Sequence, residues 1–259
     1  MTPIQQLMLG VGAKKKTYLD DVFHTQLFKT TTINADYKVT NSIDNSGEGG
    51  LVWYKDRIGT SYHMIFDTAR GSDKYIYPNA TSAQNTSTQL KSFDSDGYTF
   101  KTGTNMVNPA RDAAVWNFRK APGFFDVVTY TGNGSARTIS HSLGSVPGMI
   151  MVKRLSGSSN WAVYHRGADT TAPEDYWIAL NENYARQNQP HWNDTKPTST
   201  QFTVGNDYEV NANNQTYVAY LFAGGESTSS LAKSVQFNGS TFGHAGLTLG
   251  TGLVFGTSD

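Results

Sequence analysis

Two short stretches of this 259-residue chain are close variants of each other. GLVWYKDR occupies residues 50–57 and GMIMVKR occupies residues 148–154, which places Lys55 and Lys153 98 positions apart. Similar residues follow in the same order after both stretches. At 98 positions Gly59, Ile65 and Phe66 match Gly157, Val163 and Tyr164; at 102 Asp73, Ile76 and Asn79 match Asp175, Ile178 and Asn181; at 104 Tyr98, Thr99, Phe100, Trp116 and Phe118 match Phe202, Thr203, Val204, Tyr220 and Phe222. The pattern predicts two copies of one structural unit, with insertions confined to turns.

Each unit has the sequence pattern of a small β-protein. Short runs such as YKVTNSI, YHMIFDT and DVVTYTG are bounded by Gly, Asn, Asp, Pro or Ser, and no window of helical length carries an apolar stripe. Aromatic residues make up 12% of the chain and suit pleated, half-buried surfaces, while its 25 glycines suit turns. The predicted fold class is all-β, with two tandem antiparallel β-sandwich repeats of a jelly-roll-like kind.

The repeats divide the chain into four predicted parts. Residues 1–27 form an N-terminal arm, residues 28–121 the first repeat, residues 122–226 the second repeat, and residues 227–259 a C-terminal β segment. The link between the repeats contains Pro122 and Gly123 followed by two phenylalanines. A link that is so short and apolar predicts repeats that pack on each other. The C-terminal segment is too short to close a core alone, so we expect a longer natural chain or a partner there.

Composition argues against several classes of partner. The 21 basic and 21 acidic side chains balance, which gives no electrostatic attraction to nucleic acid. There is no cysteine, so disulfides and thiolate chemistry are excluded. No apolar run approaches the roughly 20 residues that span a bilayer, and we predict no membrane insertion.

No catalytic motif stands out. The six histidines show no metal-ligand spacing, the Gly/Ser turns lack the context of a nucleophile elbow, and no pair of acids marks a glycosidase. We predict that the chain is not an enzyme and uses no cofactor. FDSDG, residues 93–97, resembles the start of a calcium loop, with Asp94 and Asp96 as weak candidate ligands. Asp and Gly are also the ordinary residues of a β-turn, which is the favoured interpretation.

Tryptophans near strands are the candidates for ligand binding. Trp161, Trp177 and Trp192 could stack on sugars if their faces were exposed. However, half of each strand in a sandwich faces the core, which favours core packing for these side chains.

Several segments together resemble marine bacteriophage tail fibres and related virion structural proteins. The segments are MTPIQQLMLGVG, TYLDDVF, SGEGGLVWYKDR, FDTARG, SFDSDGYT, KAPGFFDVVTYTGNG, RTISHSLGSVPGMIMVKR, WAVYH, PTSTQFTVG and TYVAYLFAGG. The resemblance covers nearly the whole chain and is more specific in the second repeat. It implies a homotrimeric component of the virion tail, made in the host cytoplasm during assembly, without a known catalytic site.

The resemblance also implies that the N-terminal arm docks on a tail adaptor or nozzle protein. The docking side chains would be Ile4, Leu7, Leu9, Tyr18, Leu19, Val22 and Phe23. Two alternatives stay open at this point. One is a lectin-like module that recognises host cell-surface glycans, and the other is a capsid decoration protein.

Overall fold

The computed structural model describes residues 17–29, 35–107 and 111–224, together with two short strands near the C-terminus. The first repeat contains β1 Phe23–Lys29, β2 Tyr37–Thr40, β3 Gly50–Asp56, β4 Met64–Asp67, β5 Lys74–Tyr75, β6 Asn85–Thr86, β7 Leu90–Asp94, β8 Gly97–Phe100 and β9 Asp112–Arg119. The second contains β10 Phe125–Thr131, β11 Arg137–Ser140, β12 Pro147–Arg154, β13 Trp161–His165, β14 Tyr176–Ala179, β15 Gln187–Asn188, β16 Gln201–Val204 and β17 Thr216–Ala223. Strands β18 Thr248–Gly250 and β19 Gly252–Val254 pair with each other.

Helices in the described residues are single turns. Helix α1 is Asn45–Glu48 and α2 is Tyr208–Asn211, and 3-10 turns occur at Leu19–Asp21, Pro173–Asp175 and Pro190–Trp192. Within the described part, no helix has the length and apolar character needed to cross a membrane. The prediction of an all-β fold is confirmed.

The two repeats share one strand order. The large sheet of the first repeat runs β1-β9-β3-β4, and that of the second runs β10-β17-β12-β13-β14-β15. The register also matches, because Trp53 faces Trp116 while Met151, which is 98 positions later, faces Tyr220. A smaller sheet accompanies each large one, β2-β8-β7 in the first repeat and β11-β16 in the second.

Each large sheet is buried on both faces. In β3, Val52 and Tyr54 pack toward the small sheet of their own repeat, in a cluster with Phe100. Leu51 and Trp53 alternate with them and lie in a different cluster, which also contains residues of the second repeat. Buried parallel sheets usually have this two-sided burial, whereas antiparallel sheets often leave one face in water.

The second face is where the two repeats meet. Phe118 of β9 contacts its own counterpart, Phe222 of β17, with ring centroids 5.6 Å apart. Phe125 lies against both rings, at 5.7 and 5.1 Å. The described chain is therefore a stack of four β-layers, in which the two large sheets lie back to back between the two small ones.

The structure corrects the predicted end of the N-terminal arm. β1 begins at Phe23 and pairs along its whole length with β9, so residues 23–27 belong to the first sheet and not to an arm ending at residue 27. Val22 is fully buried in the cluster between the repeats, and the Phe23 ring lies 4.8 Å from Phe118. Val22 is therefore not free to dock on a partner, and Phe23 is half-buried.

Other predicted docking residues divide into two groups. Ile4, Leu7 and Leu9 lie outside the described residues, as does most of the predicted C-terminal segment. Tyr18 is 61% exposed, while Leu19 packs partly against the cluster between the repeats.

Candidate functional site

The predicted ligand-binding tryptophans are core residues. Trp161 is fully buried, and Trp177 and Trp192 are only 5% and 2% exposed. Each indole N–H already has an acceptor: Tyr77 O for Trp161, Gln189 Oε1 for Trp177 and Tyr176 O for Trp192. Their faces are covered, which agrees with the favoured interpretation of core packing and corrects the candidate role in ligand binding.

The FDSDG segment is a hairpin turn between β7 and β8. Asp94 accepts hydrogen bonds from the hydroxyls of Ser92 and Thr99, at 2.7 and 2.6 Å, and Asp96 pairs with Lys38. Gly97 has φ of 150°, and a Cβ there would lie 1.9 Å from the carbonyl oxygen of Val39. Because Asp94 is engaged by Ser92 and Thr99, and Asp96 by Lys38 of β2, both residues serve the hairpin turn here and not a calcium site.

A different cluster on the second repeat combines exposed aromatic rings with a carboxylate. We call it the Glu209 cluster; it consists of Asn160, Tyr184, His191, Tyr208 and Glu209. Tyr184 and Tyr208 are 40% and 53% exposed, whereas Glu209 is 3% exposed and His191 is fully buried. The exposed tyrosine rings therefore lie beside two buried polar side chains.

Local backbone structure aims these side chains at one another. Asp207 caps α2 by accepting a hydrogen bond from Glu209 N at 2.7 Å, which fixes the first turn that carries Glu209. His191 lies on the 3-10 turn Pro190–Trp192, where its carbonyl accepts from Gly205 N at 2.8 Å. A Cβ at Gly205 would lie 1.9 Å from Pro190 O, so glycine is needed for this close approach.

Hydrogen bonds connect the buried His191 and Glu209 to the more exposed Asn160 and Tyr208. His191 Nε2 lies 3.0 Å from Glu209 Oε2, and Glu209 Oε1 accepts from Asn160 Nδ2 at 2.9 Å and from Tyr208 Oη at 3.2 Å. Burial alone would raise the pKa of Glu209, but these hydrogen bonds outweigh it and hold the pKa below its ordinary value. Glu209 is thus an ionised hydrogen-bond acceptor at neutral pH.

His191, Asp207 and Glu209 also bring three potential metal-ligand atoms within 4.8 Å of one another. The hydrogen bonds fit this geometry without an ion. His191 Nδ1 is buried and has no hydrogen-bond partner among the described residues, whereas a metal-bound histidine normally donates its second N–H to an acceptor. A metal on Nε2 would leave that N–H unsatisfied, so the donor set does not favour a metal centre.

The spacing of the repeats could have pointed to this cluster. Asn160, Tyr208 and Glu209 stand where the first repeat has Tyr62, Thr104 and Asn105. Positions that differ between otherwise matching repeats are free of the constraints of the shared core. That signal was present in the sequence, but it does not tell which divergent positions meet in space.

A pocket of about 370 Å³ lies at the junction of the arm, α1 and the link. Asp21, Asp44, Glu48, Arg119 and Lys120 are among its lining residues. Arg119 Nε donates to Asp21 O at 2.9 Å, and Lys120 pairs with Asp126 at 2.9 Å. The two basic side chains of the lining thus already have partners within the protein.

A buried polar network joins the two repeats. Asp67 Oδ2 accepts from Arg70 Nε at 2.6 Å and from Tyr220 Oη at 2.5 Å, and Arg70 Nη2 lies 3.2 Å from Tyr220 Oη. All three residues are at most 7% exposed. Burial raises the pKa of Tyr220 well above its ordinary value, so its hydroxyl stays protonated and donates to Asp67.

A loop of the first repeat also covers a hairpin of the second. The carbonyl of Thr81 accepts from Lys153 Nζ at 3.0 Å and from Ser159 N at 2.9 Å. Trp161 Nε1 donates to Tyr77 O at 2.9 Å, and Gln84 N donates to Leu155 O at 3.0 Å. Lys153 is completely buried by this contact.

The fold and these contacts define a class: an all-β tandem-repeat protein whose two repeats are joined back to back by apolar and polar contacts. The chain belongs to the family described as a domain of unknown function, DUF7483, whose family model matches residues 21–247. That span covers both repeats. No curated protein and no solved structure shows significant similarity to the chain.

Proposed function

We propose that this protein is a structural and host-attachment component of a bacteriophage virion, of the tail-fibre kind. The observation that supports it is the contact between the repeats, where an aromatic cluster and the Asp67–Arg70–Tyr220 network make one thick β-unit. A particle that adsorbs to a cell needs rigid parts that keep their shape. The sequence resemblance to virion proteins points in the same direction.

The test is to find the chain in purified particles of the phage that encodes it. We expect mass spectrometry to detect it in several copies per particle, and antibody-gold labelling to place it on the tail. Its absence from washed particles would contradict the proposal. Labelling on the head would favour the capsid decoration alternative instead.

The Glu209 cluster favours saccharide binding as a second candidate function. Two exposed tyrosine rings offer apolar faces, and Asn160 with Glu209 offers hydrogen-bond groups that suit sugar hydroxyls. Such a surface would let the virion protein recognise a glycan of the host cell.

A glycan array probed with the full chain tests this candidate. Tyr208→Ala should reduce binding at least about tenfold if the ring supplies one stacked contact. Tyr18→Ala, which removes a similarly exposed tyrosine of the N-terminal arm, is the matched control and should change nothing. Equal binding by both variants would place the site elsewhere.

A further inference from the structure

Among the described residues, only the first repeat places a loop over a hairpin of the other repeat. Loop 77–84 of the first repeat covers the β12–β13 hairpin of the second repeat, which buries Lys153 and Ser159. The equivalent hairpin of the first repeat, between β3 and β4, is exposed from residue 57 to 62. Ile58 and Tyr62 are 61% and 51% exposed there.

The exposed hairpin keeps the hydrogen-bonding groups of the covered one. Lys55 occupies the position that Lys153 has in the second repeat. Its Nζ donates to Ser61 O at 2.8 Å, just as Lys153 Nζ donates to Ser159 O at 2.9 Å. His63 occupies the position that Trp161 has in the second repeat. Its Nδ1 accepts from Trp53 Nε1 at 3.0 Å. In the neutral ring the N–H is therefore on Nε2. A ring N–H and a lysine ammonium are thus present again on this hairpin, on side chains that are half-buried.

The covering loop is also repeated. In the first repeat the loop connects β5 to β6, in which Lys74 pairs with Thr86. In the second repeat the loop connects β14 to β15, in which Tyr176 pairs with Asn188. Tyr176 and Asn188 each lie 102 positions after their counterparts in the first repeat. Loops 77–84 and 179–186 therefore have the same length and follow equivalent paired strands.

One internal bond shows that the two loops sit alike on their own repeats. Asn79 Oδ1 accepts from His63 N at 3.1 Å, and Asn181 Oδ1 accepts from Trp161 N at 2.8 Å. Residues 182–190 are all exposed, and Leu180 is 39% exposed. The second loop is therefore anchored to its own hairpin as the first loop is, and its residues 182–186 are exposed.

We propose that loop 179–186 of one molecule binds the β3–β4 hairpin of a second molecule of this chain. The internal contact is the template: it uses main-chain carbonyls of the loop, at Tyr77 and Thr81, which any residue can supply. In the contact between molecules Asn183, which is exposed, would supply the carbonyl for Lys55, the donor on the hairpin.

This contact has a direction, because each molecule contributes a loop to one neighbour and a hairpin to the other. A head-to-tail contact of this kind closes into a ring or continues as a filament. The inference goes beyond virion membership, and it stands or falls separately from it. Tyr184 lies in the binding loop, so a saccharide on the Glu209 cluster would compete with the contact.

The first experiment measures the molar mass of the full chain by sedimentation over a range of concentrations. We expect the wild type to form assemblies that are multiples of the 28.4 kDa chain. Lys55→Glu places a carboxylate against carbonyl oxygens and should raise the concentration needed for assembly at least about tenfold. Lys101→Glu, at another exposed lysine of the first repeat, is the control and should assemble like the wild type.

Thermal unfolding shows whether Lys55→Glu still folds. If its melting point falls, Tyr62→Asp replaces it, since that ring is exposed at the tip of the same hairpin. A wild type that stays monomeric at every concentration would overturn the proposal. Unchanged assembly by a folded Lys55→Glu and Tyr62→Asp would also overturn it.

A mixing experiment tests the direction of the contact. One variant carries the broken hairpin, Lys55→Glu, and the other a broken loop, Leu180→Asp with Tyr184→Asp. Each variant should be monomeric alone. The first keeps an intact loop and the second keeps an intact hairpin, so the mixture should form a dimer that contains one copy of each. A mixture that stays monomeric would exclude the head-to-tail contact.

Discussion

Lys153 shows how one side chain can link the stability of the protein to pH. It is fully buried and donates to the carbonyls of Thr81 and Ser159. Burial, and then the neighbouring charge of Arg154, lowers its pKa from 10.5 to about 8. The folded protein thus loses this proton at a lower pH than the unfolded chain does.

We predict that the free energy of unfolding rises between pH 8 and pH 10. In this range the unfolded chain binds more protons at this lysine than the folded protein, so raising the pH favours folding. The expected gain is about 1–2 kcal/mol, measured by urea unfolding. Buried tyrosines with raised pKa values act in the opposite direction above pH 10, which sets the upper limit.

Lys153→Met is the control, since it keeps an unbranched side chain at this position without an amine. Its rise in stability between pH 8 and pH 10 should be smaller than that of the wild type. Equal slopes for the two proteins would show that the effect does not come from Lys153.

Asp67 and His165 occupy the same position in the two repeats, but only Asp67 lies in the contact between them. Asp67→Ala leaves the Arg70 guanidinium buried without its counter-charge, so we expect a loss of about 3–5 kcal/mol of stability. His165→Ala, at the exposed counterpart, should change stability by no more than about 0.5 kcal/mol. Denaturant unfolding of both variants measures the difference, and similar losses would contradict a special role for Asp67.

At the scale of elements, β1 decides where the arm ends and the fold begins. Within this strand Phe28 is 6% exposed and contacts the rings of Tyr37 and Phe100, while its neighbour Leu27 is 66% exposed. Phe28→Ala should therefore cost about 3–5 kcal/mol of stability and Leu27→Ala less than about 0.5 kcal/mol. If both changes were harmless, β1 would not be part of the folded unit.

The strands of the repeat were predictable because two copies supply independent evidence for each one. Trp53 and Met151 differ in chemistry, yet their shared place in the order of residues predicted equivalent strands, and the pairing confirms it. β1 was missed because its residues were assigned to the arm. Its counterpart in the second repeat, 102 positions later, begins at Phe125, and comparison with that strand would have identified it.

The candidate site was less predictable than the fold. Alternation shows that a strand has two faces, but it does not show that the second face meets another repeat. Trp161 was a candidate binding residue because tryptophans near strands can stack on sugars, and contact with Tyr77 of the first repeat covers it. The Glu209 cluster joins residues from positions 160 to 209, and only the folded chain brings them together.

At the scale of the whole molecule, the two repeats share a core. The cluster between them contains Leu51, Ile65 and Val22 from the first repeat, and Phe125, Met151 and Tyr220 from the second. Separating the repeats would expose these side chains to water and leave Arg70 and Asp67 without Tyr220. Each fully buried side chain of this size contributes about 1.5–3 kcal/mol, so neither repeat keeps its stability alone.

We therefore predict a single cooperative unfolding transition for the described part of the chain. Calorimetry should give a van't Hoff enthalpy equal to the calorimetric enthalpy, because neither half can unfold while the other stays native. Phe28→Ala in the first repeat and Ile139→Ala in the second both remove buried core side chains, and each should move the whole transition to lower temperature. If two transitions were resolved and each substitution moved only one of them, the repeats would be independent domains. The buried network would then be a contact between two folded units and not part of a common core.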